Sequence, residues 1–369
     1  MKILFDHQIF STQRYGGISR YFYELMKRFE DMNEITSQLS VRFSNNYYIR
    51  DSGMVSSDYL LEKLDFRGKD RLRVLLNKRS SVRDIKEQNY DIIHPTYYDP
   101  YFLKYIDKKP FVLTIHDMIH EIYPELAGSN RIIIEWKKVL AEKATKIIAV
   151  SHNTKKDIMR FYNIDEGKIE VIYHGNSLDV NKTAPYSKLQ IDGEYVLFVG
   201  IRQSYKNFDF LLSAIASKLR ENSNLKFVCA GGGAFTKIEL EVIKSMKLEG
   251  KVLQYSINDF DLAALYKKAK AFVFPSYYEG FGIPILEAFA CGCPVILSNC
   301  SSLPEVAEDG AIYFDPYDKK SLSDALEKLI YSREISDKLI LKGYEQLKKF
   351  SWNETAEKTK ELYLSILQG

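Results

Sequence analysis

The sequence predicts an α/β protein of two domains, each a parallel sheet covered by helices on both faces. Three observations lead there. At 369 residues the chain exceeds the size at which one hydrophobic core stops growing. Short apolar runs alternate with amphipathic stretches from start to finish, the pattern of helices packed on parallel strands. The alternation comes in two series, separated by a polar, turn-rich stretch at 174–193 that contains Gly175, Pro185 and Gly193 and reads as a linker.

In the first series strands are expected at 2–5, 38–43, 91–94, 111–116, 146–150 and 170–173. Ile18, Phe22, Leu25 and Phe29 recur at helical spacing directly behind Gly16-Gly17, so the first strand, glycine turn and helix resemble a Rossmann-type opening. The second series places strands at 195–200, 225–230, 252–255, 271–274 and 294–297. Both halves therefore look Rossmann-like. The last segment, from Ser351-Trp352 to Leu367, reads as a helix with Tyr363, Leu364 and Leu367 apolar near its end. No low-complexity tract or short repeat interrupts the pattern.

Composition removes several function classes. The 52 basic and 49 acidic side chains nearly balance, which gives no argument for nucleic-acid binding. Positive charge is concentrated locally at 67–86, where Arg67, Lys69, Arg71, Arg73, Lys78, Arg79, Arg83 and Lys86 face only Asp70 and Asp84. Leu72, Val74, Leu75 and Leu76 are interleaved with them, so this stretch is either a solvated helix with one buried apolar face or a peripheral contact with an anionic membrane. Cys229, Cys291, Cys293 and Cys300 lie in apolar stretches without zinc-type spacing and are expected to be buried thiols. Met1 to Phe5 reads as a strand rather than a signal peptide, and no apolar run approaches the roughly 18 residues of a membrane span. A cytoplasmic chain is expected, peripheral on the membrane's inner face if the basic segment makes that contact. No Walker loop, Gly-x-Ser-x-Gly elbow, HExxH or clustered Asp pair occurs, and no metal or other cofactor is required.

Chemistry concentrates at the ends of expected strands, where open α/β sheets bind ligands. The segment from Ser276 to Val295 carries Glu279 and Glu287 across a turn with Gly280 and Gly282, followed by Pro284 at the start of a helix. The free amides of such a helix start suit a phosphate, and the flanking carboxylates suit sugar hydroxyls. Gly200-Ile-Arg202-Gln-Ser-Tyr-Lys206-Asn207 follows another strand, with Asn207 as an N-cap and two cations suited to a departing diphosphate. Gly231-Gly232-Gly233 is either a close-approach turn or a plain flexible one. In the first series, His116-Asp117 ends a strand and could work as an acid–base pair or orient a sugar; His94 to Tyr98, with His94 and Tyr97, either offers polar and aromatic groups to an acceptor sugar or is a packed β–α loop. Ser256-Ile257 could hold a flat base.

Taken together, Gly16-Gly17, His116-Asp117, Val150-Ser151, Val171 to Gly175, Gly200 with Arg202 and Lys206, Gly231 to Gly233, and Glu279-Gly280-Phe281-Gly282 with Glu287 resemble the family-4 retaining glycosyltransferases in order and spacing over nearly the whole chain. The most specific piece is the segment 275–295, with seven residues between the two glutamates. The resemblance implies a GT-B fold, in which residues 1–178, completed by a C-terminal helix at 351–369, form an acceptor-side domain and residues 179–350 bind the nucleotide sugar, with a cleft between. It implies that Arg202 and Lys206 hold the donor diphosphate, Glu279 the hydroxyls of the transferred sugar and Glu287 the ribose. The amides of Gly282 and Ile283 would meet the distal phosphate, Gly16-Gly17 would approach it, His116 would contact the transferred sugar, and Ser256-Ile257 would face the base. Gly200, Gly280 and Phe281 complete the donor set, and His94, Tyr97 and Asp117 the acceptor set. One departure is His174-Gly175-Asn176, where relatives often have Asn-Gly.

The activity so implied is metal-independent transfer of a hexose, with retention, from a nucleotide-diphosphate sugar to a glycan or lipid-linked acceptor of a bacterial surface polysaccharide. GDP-mannose is the first expectation for the donor, ahead of a UDP- or dTDP-sugar. An NAD-dependent oxidoreductase also suits two Rossmann-like domains, but no GxGxxG fingerprint follows either first strand. A non-catalytic sugar-nucleotide binder is the other alternative.

Overall fold

The computed structural model describes residues 1–50, 52–55, 66–125, 131–178, 180, 191–202 and 204–368. The chain forms two compact units, one of Met1–Gly175 with Trp352–Gly369 and one of Asn176–Ser351. Most of the expected linker, at 179 and 181–190, lies outside the described residues.

The first unit holds β1 (Lys2–Phe5), β2 (Thr36–Leu39), β3 (Ile92–His94), β4 (Val112–Ile115), β5 (Lys146–Ala149) and β6 (Ile169–Val171). They pair in the orders β2-β1-β3 and β4-β5-β6, all parallel, and a single parallel bridge from Ile93 to Phe111 joins the two sets. The helix Gly17–Phe29 buries Tyr21, Phe22, Leu25, Met26 and Phe29 against Ile3 and Phe5. The helix Trp352–Gln368 packs into that same core through Trp352, Ala356, Leu362 and Tyr363. Each large apolar side chain so buried contributes about 1.5–3 kcal/mol.

The second unit is a six-stranded parallel sheet in the order β12-β11-β10-β7-β8-β9. Its strands are β7 (Glu194–Val199), β8 (Leu225–Ala230), β9 (Val252–Tyr255), β10 (Ala271–Phe274), β11 (Val295–Ser298) and β12 (Ala311–Phe314). From β7 the chain winds one way through β8 and β9, then returns to add β10, β11 and β12 on the other side. The order therefore reverses between β7 and β10, which lie in parallel register with Ala271 opposite Val196. The carboxyl ends of strands on either side of such a switch point leave a crevice, because the loops that follow them diverge.

The structure departs from the sequence reading in several places. The second strand stops at Leu39 instead of running to residue 43, because the Arg42 and Phe43 amides both donate to Asn77 Oδ1, at 2.9 Å each, rather than to a neighbouring strand. Strand β12 escaped the sequence reading; it is a four-residue edge strand with two half-buried residues. The basic segment does form a helix, Lys69–Lys86, but its buried stripe is Arg73, Asn77, Ser81 and Ile85. Leu75 is 46% exposed and its apolar neighbours are only half-buried, so the apolar side chains are not the packed face. Asn207 precedes the helix Phe208–Glu221 in the left-handed region (φ 55°), and its side chain donates to the Pro316 carbonyl at 3.2 Å instead of capping that helix.

His94, expected to meet an acceptor, is a core residue. It is fully buried, with Nδ1 2.5 Å from the Tyr363 hydroxyl and Nε2 2.8 Å from the Thr114 hydroxyl. Burial lowers its pKa to about 3, so the ring is neutral. Unfolded histidine protonates near about 6.5. As pH falls from there toward 3, the unfolded chain takes up a proton that native His94 does not, so the stability linked to the neutral ring is complete above about 6.5 and is lost on acidification. Replacing His94 with Gln removes this slope: in urea unfolding at a series of pH values, the stability advantage of the wild type over the variant should shrink by up to about 1.4 kcal/mol per pH unit below about 6.5.

Candidate active site

At the switch point of the second unit, the loops after β7 and β10 are joined by main chain and side chain together. The Tyr277 amide donates to the Tyr205 carbonyl at 2.8 Å. Lys206 Nζ reaches Glu279 Oε1 at 2.6 Å, and the Ser276 hydroxyl donates to the same oxygen at 2.5 Å. Both charged side chains are mostly enclosed, 14% and 13% exposed, and the ammonium lies 4.9 Å from the centre of the Phe274 ring. A charge pair sheltered in this way attracts more strongly than one at the surface, because less water screens it.

The turn that carries Glu279 is held by serines that sequence reading missed. The Glu279 amide donates to Ser301 Oγ at 3.0 Å, and the Ser302 hydroxyl reaches the carbonyls of Glu279 and Phe281 at 2.9 Å each. Gly282 precedes the helix Ile283–Ala290 at φ 115°, where an added Cβ would lie 2.9 Å from Ile285 Cδ1. Gly280 is buried within the turn, and Ile283 is half-buried at the helix start. Phe281 was expected at the donor, but its ring turns inward against Phe350 with 4% exposure, so only its backbone can face a ligand. Glu287 is 4% exposed and accepts from the Tyr266 hydroxyl at 3.3 Å.

Arg202 is engaged within the chain. Four of its donors are used within the chain: Nε to Glu239 Oε1 at 2.7 Å, Nη1 to the Gly231 carbonyl at 3.0 Å, and Nη2 to the Gly233 and Ala234 carbonyls at 3.0 and 3.1 Å. A planar fork with so many bonds cannot also clamp a diphosphate without releasing them. Burial raises the Glu239 carboxyl, but the bonds from Arg202 and Thr236 outweigh it and leave the group below its ordinary range. Arg202 thus ties the glycine turn after β8 to the loop after β7. Gly200, at φ 125°, opens that loop, and Ser256 (exposed) and Ile257 (half-buried) follow β9 at the next strand end.

In the first unit, Gly16 and Gly17 start the helix Gly17–Phe29, and Gln13 Oε1 accepts from the Ser19 amide at 3.0 Å, so part of that helix start is already satisfied. His116 is half-buried. Its pKa is lowered to about 3 by burial, with His94 and Lys137 adding to the effect, and Nε2 is buried with no hydrogen-bond partner. The neutral ring therefore presents one unpartnered buried nitrogen. The His116 amide is held by the Tyr98 hydroxyl at 3.2 Å, and Asp117 Oδ1 accepts from the Ile119 amide at 3.2 Å. Lys137, in an almost fully buried pair with Glu121 at 3.0 Å, donates to the Asp117 carbonyl at 3.0 Å. Tyr97 is half-buried with its ring centre 4.6 Å from that of Tyr98. Among the described residues no three His, Cys, Asp or Glu side chains converge as a metal-ligand set.

Known proteins resemble the chain over both units. Residues 15–180 match the family model described as Glycosyltransferase Family 4, and residues 182–346 match that described as Glycosyl transferases group 1. An Escherichia coli protein named O-antigen chain mannosyltransferase B is 28% identical over 373 aligned positions, spanning 94% of this chain and 95% of the relative. The Salmonella typhimurium O-antigen chain mannosyltransferase RfbU is 32% identical over 59% of this chain and 60% of its own length. Among solved structures, Anabaena HepE in complex with UDP and glucose superposes with a TM-score of 0.77 at 20% identity over 99% of this chain and 100% of that one. WaaG, a glycosyltransferase of lipopolysaccharide biosynthesis, gives 0.71 at 16% identity over 98% and 99%.

The tie between Arg202 and the glycine turn generates a prediction. A Cβ on Gly232 (φ 69°) would lie 2.7 Å from the Gly200 carbonyl and 2.8 Å from Arg202 Nη1, whereas one on Gly233 (φ 76°) meets nothing within 4 Å. Gly233→Ala should cost only the about 1–2 kcal/mol of a left-handed alanine, and Gly232→Ala clearly more, in urea unfolding. Equal losses would mean that the turn does not close against Gly200.

Proposed function

The chain belongs to the glycosyltransferases of group 1 and family 4, with the GT-B fold, and we propose that within that family it transfers mannose, with retention and without a metal, from GDP-mannose to a lipid-linked O-antigen or capsule intermediate. The family removes the oxidoreductase alternative. One observation carries the reading: an enclosed lysine and a carboxylate paired across the switch point of a parallel sheet, beside a glycine turn that opens a helix. The names of the relatives supply mannose as the sugar.

In this mechanism the donor diphosphate exchanges for Glu279 at Lys206. The amides of Gly282 and Ile283 meet the distal phosphate, where the helix start favours negative charge. Glu279, released from the ammonium, accepts from hydroxyls of the transferred sugar, Glu287 takes the ribose, and Ser256-Ile257 face the base. The anomeric C–O bond breaks with its electron pair passing to the distal phosphate, and Lys206 and the helix amides stabilise the charge that develops there. The acceptor oxygen forms its bond to the same face of the anomeric carbon, and its proton passes to the departing phosphate oxygen. No side chain forms a covalent intermediate. Arg202 serves the site by fixing the glycine turn, and the unsatisfied Nε2 of His116 is a group for a sugar hydroxyl. Tyr97 and Asp117 remain proposed contacts for the acceptor.

We extend the proposal to the membrane that carries such an acceptor. The exposed Leu75 and the basic side chains of the helix Lys69–Lys86 form a surface suited to anionic lipid on the cytoplasmic face. Among the described residues no helix is long and apolar enough to cross a membrane. Sedimentation with phosphatidylglycerol vesicles should pull down the protein at low salt, with the bound fraction falling several-fold for Arg71→Glu combined with Leu75→Ser; equal binding by the variant would remove this helix from the account.

For the reaction, Lys206→Ala should lower mannose transfer from GDP-mannose by about 10²–10³-fold, the scale of losing a group that stabilises transition-state charge, while Arg333→Ala, at an exposed guanidinium remote from every proposed contact, leaves it unchanged. At one hundred times its dissociation constant GDP-mannose should add roughly 2.7 kcal/mol of stability. Stabilisation by a UDP- or dTDP-sugar in its place would overturn the assigned donor, and an inverted product anomer seen by NMR would overturn the mechanism.

A further inference from the structure

A pocket of about 460 Å³ lies at the carboxyl ends of β11 and β12, next to the Glu279 turn but made of residues that the proposed reaction does not use. Its lining includes Asn299, Cys300, Tyr313, Asp315, Tyr317 and Ser321. Tyr317 is 74% exposed, yet its ring is fixed, lying nearly parallel (20°) to that of Tyr277 with centres 5.1 Å apart. The loop beneath it is tied down from three directions. The Tyr317 amide donates to Asp315 Oδ1 at 2.9 Å, the Asp315 amide donates to Ser321 Oγ at 3.2 Å, and Asn207 Nδ2 donates to the Pro316 carbonyl at 3.2 Å. The pocket is also joined to the reactive turn. Cys300 Sγ donates to the carbonyls of Ser276 and Tyr277 at 3.2 and 3.1 Å, and the next residue, Ser301, accepts from the Glu279 amide.

We propose that this pocket is a pyranose-binding subsite, with Tyr317, backed by Tyr277, as the platform for the apolar face of the ring and Asn299 and Asp315 as partners for its hydroxyls. The chemistry of a sugar matches both parts of the surface. One face of a pyranose is a patch of C–H groups that covers an aromatic ring, and its rim of hydroxyls needs donors and acceptors together. Asn299 and Asp315 are exposed and supply both kinds beside the platform. A large aromatic ring facing water, held in place by its neighbours, binds such a face with little further ordering cost. The inference rests on the reading that the chain handles hexoses. The ring that occupies the subsite is either a unit of the acceptor glycan or the sugar of the donor.

The test compares wild type, Tyr317→Ala and, as a control at a distant exposed ring, Tyr331→Ala, using three probes: α-linked mannotriose, GDP-mannose and GDP. Saturation-transfer NMR and calorimetry should show mannotriose binding to the wild type and to Tyr331→Ala, weakened at least ten-fold in Tyr317→Ala, with GDP affinity the same in all three. Loss of mannotriose binding alone assigns the subsite to the acceptor. Loss of the affinity that GDP-mannose gains over GDP assigns it to the donor sugar. If Tyr317→Ala changes neither, the subsite is overturned. Should GDP and GDP-mannose fail to bind the wild type while mannotriose binding still depends on Tyr317, the donor reading fails and the subsite stands.

Discussion

The ion pair between Lys206 and Glu279 is the constraint around which the second unit is organised. It closes the divergent ends of β7 and β10, the two strands between which the order of the sheet reverses. A switch point left to itself exposes strand ends and loop amides to water. Here the gap is bridged by one main-chain bond and one enclosed charge pair, whose carboxylate oxygen also accepts from the Ser276 hydroxyl of its own loop. An enclosed pair of this kind is costly to break by removing one partner, because the other charge is left poorly solvated. It is far less costly to exchange one anion for another. That asymmetry makes the pair suited to a site that is occupied by its own carboxylate until a phosphate arrives.

The remaining features give this pair its surroundings. Ser301 and Ser302 fix the backbone on which Glu279 sits, and Gly282 lets the chain turn into the helix behind it. Arg202 performs the same service at the neighbouring strand end, where three carbonyls of the glycine turn converge on one guanidinium. The backbone of the turn is thus held at several points, while Lys206 is paired with Glu279, the partner that a phosphate replaces in the proposed mechanism. In the first unit the arrangement differs. The loop carrying His116 and Asp117 is held through the nearly fully buried pair of Lys137 and Glu121, and the three side chains His94, Thr114 and Tyr363 fasten the last helix to the sheet.

Much of the fold was legible in the sequence, because parallel strands buried on both faces leave continuous apolar runs. The runs at 225–230, 252–255 and 271–274 coincide with β8, β9 and β10 to the residue. What escaped was decided by side chains distant in sequence. Asn77 ends β2 by taking its amides, and β12, at the sheet edge, is too short and too partly buried to stand out. In the candidate site, Glu279, Lys206 and the glycine turn, which the sequence singled out by residue type and spacing, lie together at the switch point. The sequence did not show that Arg202 is engaged within the chain, because the partner Glu239 lies 37 residues away and nothing local indicates it. It left His94 open between an acceptor contact and a packed loop, because the partner Tyr363 that decides the matter lies 269 residues away. Ser301 and Ser302 act through hydroxyls that look like ordinary loop residues until the backbone of the turn is placed beside them.

The exchange of Glu279 for phosphate at Lys206 is tested most directly by titration calorimetry of GDP and GDP-mannose against wild type, Glu279→Gln, Lys206→Met and the double variant. Removing the carboxylate's charge frees the ammonium, so Glu279→Gln should bind GDP at least as tightly as the wild type while losing most of the extra affinity that the mannose confers. Lys206→Met should weaken both ligands about equally, and the double variant should show that the two effects are not additive. If Glu279→Gln weakens GDP as much as GDP-mannose, or if the two substitutions simply add, then Lys206 and Glu279 do not trade partners and the account is contradicted.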